Sequence, residues 1–95
     1  MEKILYSGLA EGFYALDDFR RFVDGLGSDG LATMKVRMDN TFMSLDVISF
    51  RPLGVTLLYI NYRSKNPFQV DVQLIGSSDG VSSIENLLKD SGLSF

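Results

Sequence analysis

Residues 31–74 alternate apolar and polar side chains with a period of two, and this long stretch constrains the fold more than any other feature. Such alternation is typical of β-strands that bury one face. It is interrupted at Asp39 and Asn40, at residues 51–54 and at residues 63–67, where turn-forming side chains gather. We therefore predict strands at residues 31–38, 41–50, 55–62 and 68–74.

The lengths of the predicted turns set how neighbouring strands pair in an antiparallel meander. The pairs nearest these turns and at the sheet centre are Met38 with Thr41, Val47 with Leu58, and Tyr62 with Phe68. This register collects apolar side chains on one continuous face. A shift by one residue would instead move Gln69, Asp71 and Gln73 into that face.

Two further segments have the helical period of 3.6 residues. The first spans residues 11–26 and is expected to stop at Gly25 and Gly27. The second runs from residue 79 or 82 to residue 91, where Ser82 and Glu85 match a capping box. Gly92 suits the left-handed position after this helix, with Leu93 folding back on Leu88.

The apolar stripes of these helices are expected to cover the continuous apolar sheet face. The predicted fold is α+β: a two-layer sandwich of a four-stranded antiparallel meander sheet, two helices packed on one face, and a short N-terminal strand. We expect a single domain over residues 1–95.

Composition argues against most catalytic chemistry. The chain has no histidine and no cysteine, so it lacks the commonest general base, thiolate nucleophiles and thiolate metal ligands. Its 12 carboxylates against 9 lysines and arginines give a net charge of −3, which provides no general attraction to nucleic acid or anionic membranes. We predict a non-enzymatic protein without a cofactor or metal.

The N-terminus has no signal-peptide pattern, and no apolar run approaches the ~20 residues of a membrane span. A cytoplasmic protein without membrane association is therefore expected.

The sheet face opposite the helices carries the candidate binding site. In the predicted register, one corner of that face gathers apolar side chains, which would form an exposed patch typical of an interaction surface. The predicted contact residues are Leu31, Ile48, Phe50, Val55, Leu57 and Tyr59. They favour a protein–protein interaction domain (an adaptor, inhibitor or accessory subunit) that also self-associates as a homodimer. In the alternative, residues 4–6 or 93–95 fold over this corner.

Polar residues on the same face allow two other interpretations. Lys35 and Arg37, with Phe42 nearby, are weaker contact candidates and resemble a nucleic-acid-binding sheet surface. Asp46 and Asp71 share the predicted face, so a solvated polar surface is favoured and nucleic-acid binding is not expected. Asp46 and Asp71, near Tyr59, could also exchange protons as acid and base, but no pocket is implied there.

A second class of function stays open from the sequence. A small-ligand-binding domain or minor enzyme would need a pocket between the sheet and the helices. The predicted register would line such a pocket with Met34, Met43 and Tyr62. Methionines at such positions more often fill gaps in a core.

Overall fold

The computed structural model describes residues 1–9 and 16–92, and it confirms the predicted α+β class. The elements, in chain order, are β1 (Glu2–Leu9), α1 (Leu16–Ser28), β2 (Met34–Asp39), β3 (Met43–Phe50), β4 (Val55–Tyr62), β5 (Gln69–Gly76) and α2 (Ser78–Asp90). β2 to β5 form the predicted antiparallel meander, and β1 adds to β5, so the sheet has five strands in the order β1-β5-β4-β3-β2. The predicted helix start at residue 11 and the contact of Leu93 lie outside the described residues.

The pairing of β3 with β4 is as predicted, with Val47 opposite Leu58. The connection between them is a 3-10 turn at Arg51–Leu53 followed by Gly54, whose φ of 63° lies in the left-handed region that glycine tolerates. Pro52 suits the start of such a turn because its own φ is restricted. A turn with this chemistry leaves little freedom in the register.

The predicted two-residue turn between β2 and β3 is wrong. Met38 pairs with Leu45 instead of Thr41, so the register differs by four residues. The Asn40 side chain explains the longer turn, because its Oδ1 accepts hydrogen bonds from the backbone N–H of Phe42 at 2.7 Å and of Met43 at 2.8 Å. A shift by an even number keeps the side chains of β2 on the same face as the side chains of β3 that were predicted to accompany them.

The predicted pairing of β4 with β5 is also wrong, and this error has larger consequences. Tyr62 pairs with Gln69 instead of Phe68, which is a shift of one residue. Phe68 belongs to the loop and is 53% exposed. The odd shift moves every side chain of β5 to the other face of the sheet.

As a result, the two helices cover the sheet face opposite to the predicted one. Val70, Val72 and Leu74 of β5 join the apolar residues of β3 and β4 beneath the helices. The shared core consists of Phe19, Val23, Leu26, Ile48, Phe50, Val55, Leu57, Tyr59, Val70, Val72, Leu74, Val81, Ile84 and Leu88. The helices pack here because this face is apolar in three adjacent strands, whereas Gln69, Asp71 and Gln73 of β5 interrupt the other face with polar side chains.

The helix ends differ from the prediction in two places. α1 continues past Gly25 and Gly27 to Ser28, and the chain turns at Gly30, which has a φ of 79°. α2 begins at Ser78 because the Ser77 hydroxyl caps it, accepting a hydrogen bond from the backbone N–H of Gly80 at 3.1 Å.

The expected capping box of α2 is therefore not formed at its N-terminus. Glu85 instead accepts a hydrogen bond from Lys3 Nζ at 2.6 Å, which ties α2 to the edge strand β1. The predicted glycine after α2 is confirmed, since Gly92 has a φ of 77°.

Candidate functional site

The structure corrects the predicted contact patch. Its strand residues line the face beneath the helices, and they are core residues with no more than 6% exposure: Ile48, Phe50, Val55, Leu57 and Tyr59. Leu31 is half-buried and packs against the same core. The Tyr59 ring stacks on Phe19 of α1, with 5.8 Å between the ring centroids. These side chains therefore form no exposed patch for a protein partner of the folded domain.

The opposite face of the sheet is covered by no element among residues 1–9 and 16–92, and we call it the open face. Its surface is apolar over three adjacent strands. We define the apolar half of the open face as Met34, Val36 and Met38 of β2, Met43, Leu45 and Val47 of β3, and Leu58 and Ile60 of β4. The three side chains of β2 are 42–54% exposed, and those of β3 and β4 are half-buried by their neighbours. A contiguous apolar surface of this kind marks an interaction site more often than chance exposure.

The alternation of β2 strengthens this assignment. Its apolar side chains point to the open face, while Lys35, Arg37 and Asp39 point to the helix side. A sheet with one solvated face normally shows the reverse pattern, with apolar residues toward the helices and polar residues toward water. The β2 sequence is thus suited to a sheet whose open face is also covered.

The other side of the open face is mixed, because polar side chains of β5 lie there beside the exposed apolar side chains of Ile4, Leu9 and Ile75. Gln69, Asp71 and Gln73 of β5 project there, and Asp71 accepts hydrogen bonds from Tyr62 Oη at 3.0 Å and Ser7 Oγ at 2.7 Å. Desolvation, with the hydrogen bond to Asp71, raises the pKa of Tyr62, so its hydroxyl stays a donor at neutral pH. The open face therefore has an apolar half and, beside it, a mixed half that contains the hydrogen-bonded Asp71.

The free edge of β2 is protected from strand addition. Lys35 pairs with Asp24 of α1 at 3.0 Å, and Arg37 pairs with Asp39 at 3.1 Å and Asp46 at 3.8 Å. Charged side chains along an edge, especially when they point inward, discourage pairing with another chain. The predicted contact candidates Lys35 and Arg37 thus lie on the helix side of the edge strand, away from the apolar half.

The remaining predicted groupings are separated by the structure. Phe42 lies in the turn before β3 and is 67% exposed, away from the sheet surface that Lys35 and Arg37 line. Asp46 faces the helix side, opposite Tyr59, whereas Asp71 faces the open side. The proposed acid–base cluster is therefore split across the sheet.

Met34, Met43 and Tyr62 lie on the open face and line no pocket between sheet and helices. Among the described residues, no group of three or more acidic side chains could hold a metal ion. Within the same part of the chain, no helix is long and apolar enough to cross a membrane.

The feature that decides where the apolar half lies is the register of β5 against β4. Apolar side chains of β2 occupy the even positions 34, 36 and 38, and those of β5 occupy 70, 72 and 74. Only the loop at residues 63–68 decides whether the two sets share a face. No family model, no curated protein and no solved structure matches this chain, so its function is argued from the geometry alone.

Proposed function

We propose that this is a non-catalytic protein-binding domain that uses the apolar half of the open face, and that its partner is a second copy of the chain. One observation carries the proposal: the uncovered face of the sheet is apolar across β2, β3 and β4. Covering that surface removes apolar area from water, which stabilises a complex by roughly 25 cal/mol per Å² before association costs are subtracted.

The dimensions of the surface support a flat partner. Eight-residue strands are ~26 Å long, and five strands spaced ~4.8 Å apart give a footprint on the order of 600 Å². A standard interface buries about 800 Å² of accessible surface on each partner, so an interface formed by this face lies at the small end of the range. Another sheet face matches this shape, because sheets pack about 10 Å apart with their strands within about 30° of each other.

A twofold axis fits the distribution of polarity. β3 lies at the centre of the apolar half, flanked by β2 and β4. An axis at Val47 would place the apolar half of one copy on that of the other, and the mixed half formed by β5 and β1 would lie beside this contact. The charged edge of β2 favours association through the face over association through the edge.

Sedimentation equilibrium of the wild-type chain and of Val47→Lys tests the proposal. We expect a wild-type dimer, and we expect Val47→Lys to raise the dimer dissociation constant at least ~100-fold because a lysine at the centre of the interface would be desolvated without a partner. The monomer of this variant should stay folded, since the new ammonium group can reach water from the open face.

Gln73→Lys is the matched control. Gln73 lies in the same row across the sheet as Val47 and Leu58, but outside the apolar half, between Leu58 and Ile4. The same substitution there should change the dissociation constant less than about threefold. A wild-type chain that stays monomeric at millimolar concentration, or equal effects of the two lysines, would refute the proposed interface.

A further inference from the structure

A crevice lies on the other side of the sheet, between α1 and the strands β2 and β3, well away from the open face. Its volume is about 350 Å³, within the range of small-molecule sites. The floor is apolar and is formed by Phe19, Val23, Ile48 and Tyr59. A water molecule, with its one non-hydrogen atom, occupies ~30 Å³ in the liquid. By this measure the crevice accommodates roughly a dozen non-hydrogen atoms.

The walls of the crevice carry more positive than negative charge. Arg20, Lys35 and Arg37 line it, against the two carboxylates of Asp24 and Asp46. This local excess contrasts with the net charge of −3 for the whole chain. Lys35 and Arg37 are engaged with carboxylates, whereas Arg20 forms no ion pair with any carboxylate in residues 1–9 and 18–92.

Tyr59 adds a neutral polar group to the apolar floor. Burial raises the pKa of its hydroxyl more than the positive charge of the nearby Arg20 lowers it. The phenol therefore stays protonated at neutral pH and adds no negative charge to the crevice.

We infer that this crevice binds a small amphipathic monocarboxylate, with its apolar body on the Phe19–Tyr59 floor and its carboxylate on Arg20. A planar guanidinium matches a carboxylate with two parallel hydrogen bonds. An apolar pocket with few polar groups is the usual composition of a small-ligand site. A dianion is disfavoured because Asp24 and Asp46 also line the walls.

Titration of ¹⁵N-labelled protein with 3-phenylpropionate, followed by amide chemical shifts, tests this inference. We expect saturable shifts at Val23, Lys35 and Ile48, which border the crevice on three different elements. 3-Phenylpropanol has the same body without the charge, and it should bind about tenfold more weakly, as expected for the loss of a charge-assisted hydrogen bond.

Adjacent arginines provide the matched variants. Arg21 lies next to Arg20 on α1 but does not line the crevice, and its guanidinium is 3.7 Å from Asp18. Arg20→Gln should weaken binding of 3-phenylpropionate about tenfold, and Arg21→Gln should leave it within about twofold.

Three results would overturn the inference: no saturable shifts, equal losses in the two arginine variants, or equal binding of the alcohol. The binding of N-acetyl-Gly-Phe, which carries the same carboxylate on a peptide, distinguishes the C-terminus of a peptide from a free small molecule. Tighter binding of the peptide would identify the peptide as the source of the carboxylate. None of these outcomes bears on the open face, which lies on the opposite side of the sheet.

Discussion

Leu57→Asp is expected to unfold the domain at neutral pH. Leu57 is fully buried and lies between Ile48 and Leu74 on adjacent strands, beneath the helices. The substitution loses about 1.5–3 kcal/mol of apolar burial, and a buried carboxylate without a partner costs several kcal/mol more. The sum is comparable to the about 5–15 kcal/mol that stabilises an ordinary domain. Loss of far-ultraviolet circular dichroism and of amide shift dispersion would report the unfolding.

Leu58→Asp is the matched variant, because Leu58 is the next residue of β4 and points to the open face. Its side chain is half-buried in the monomer, and a carboxylate at this position can reach water. We expect the monomer to stay folded, with its free energy of unfolding changed by about 1 kcal/mol, and self-association to be lost. A folded Leu57→Asp together with an unfolded Leu58→Asp would show that the two sheet faces are assigned the wrong way round.

Gly80→Ala is expected to lower the free energy of unfolding by about 3 kcal/mol. Gly80 lies in the first turn of α2 and is buried against the 3-10 turn between β3 and β4. A Cβ atom there would overlap the Leu53 carbonyl oxygen and the Val55 Cγ2 atom, and would lie 2.8 Å from the Ser77 hydroxyl that caps the helix. Overpacking typically costs about 1–3 kcal/mol, and a weakened cap adds about 1 kcal/mol. Urea denaturation measures this loss.

Gly25→Ala provides the control within α1. Among residues 1–9 and 16–92, no atom outside its own helix lies within 4 Å of a Cβ at this position, and its φ is not positive. Alanine should therefore raise the free energy of unfolding by about 0.5–1 kcal/mol, because it restricts the unfolded chain and favours the helix. If both substitutions destabilise the domain equally, the close approach of α2 to the turn is not what requires glycine at position 80.

Part of the fold follows from local sequence signals. The turn at residues 51–54 contains a proline and a glycine at positions that suit it, and it predicts the correct pairing of Val47 with Leu58. The apolar period of 3.6 residues predicts both helices. The start of α2 differs from the prediction because Ser77, and not Ser82, caps the helix. The turn after β2 is misjudged by four residues, because the side chain of Asn40 organises a longer turn than the pair Asp39 and Asn40 suggests.

The choice of the covered face could not be predicted from β3 and β4. Both faces of these strands are apolar at their centre, as Val47 and Ile48 or Leu57 and Leu58 show. The decision therefore depends on β5, whose register is set by the loop after Tyr62. An error of one residue in this loop exchanges the core for the surface.

The residues of the open face differ from the predicted contact residues for the same reason. The prediction that the domain binds through its open sheet face stays a proposal, but the residues that form this face are different. Ile48 and Leu57 belong to the core, and their neighbours Val47 and Leu58 belong to the open face. In β2, Val36 points outward and Lys35 and Arg37 point inward, because β2 follows the register of β3.

Isotope-filtered nuclear Overhauser spectroscopy on a mixture of labelled and unlabelled protein detects contacts between copies and therefore locates the dimer interface. We predict intermolecular contacts among the methyl groups of Val36, Val47 and Leu58, which form one row across the apolar half of the open face. A dimer whose intermolecular contacts involve the charged edge of β2 or the outer surface of α1 or α2, with none to these methyl groups, would contradict the account.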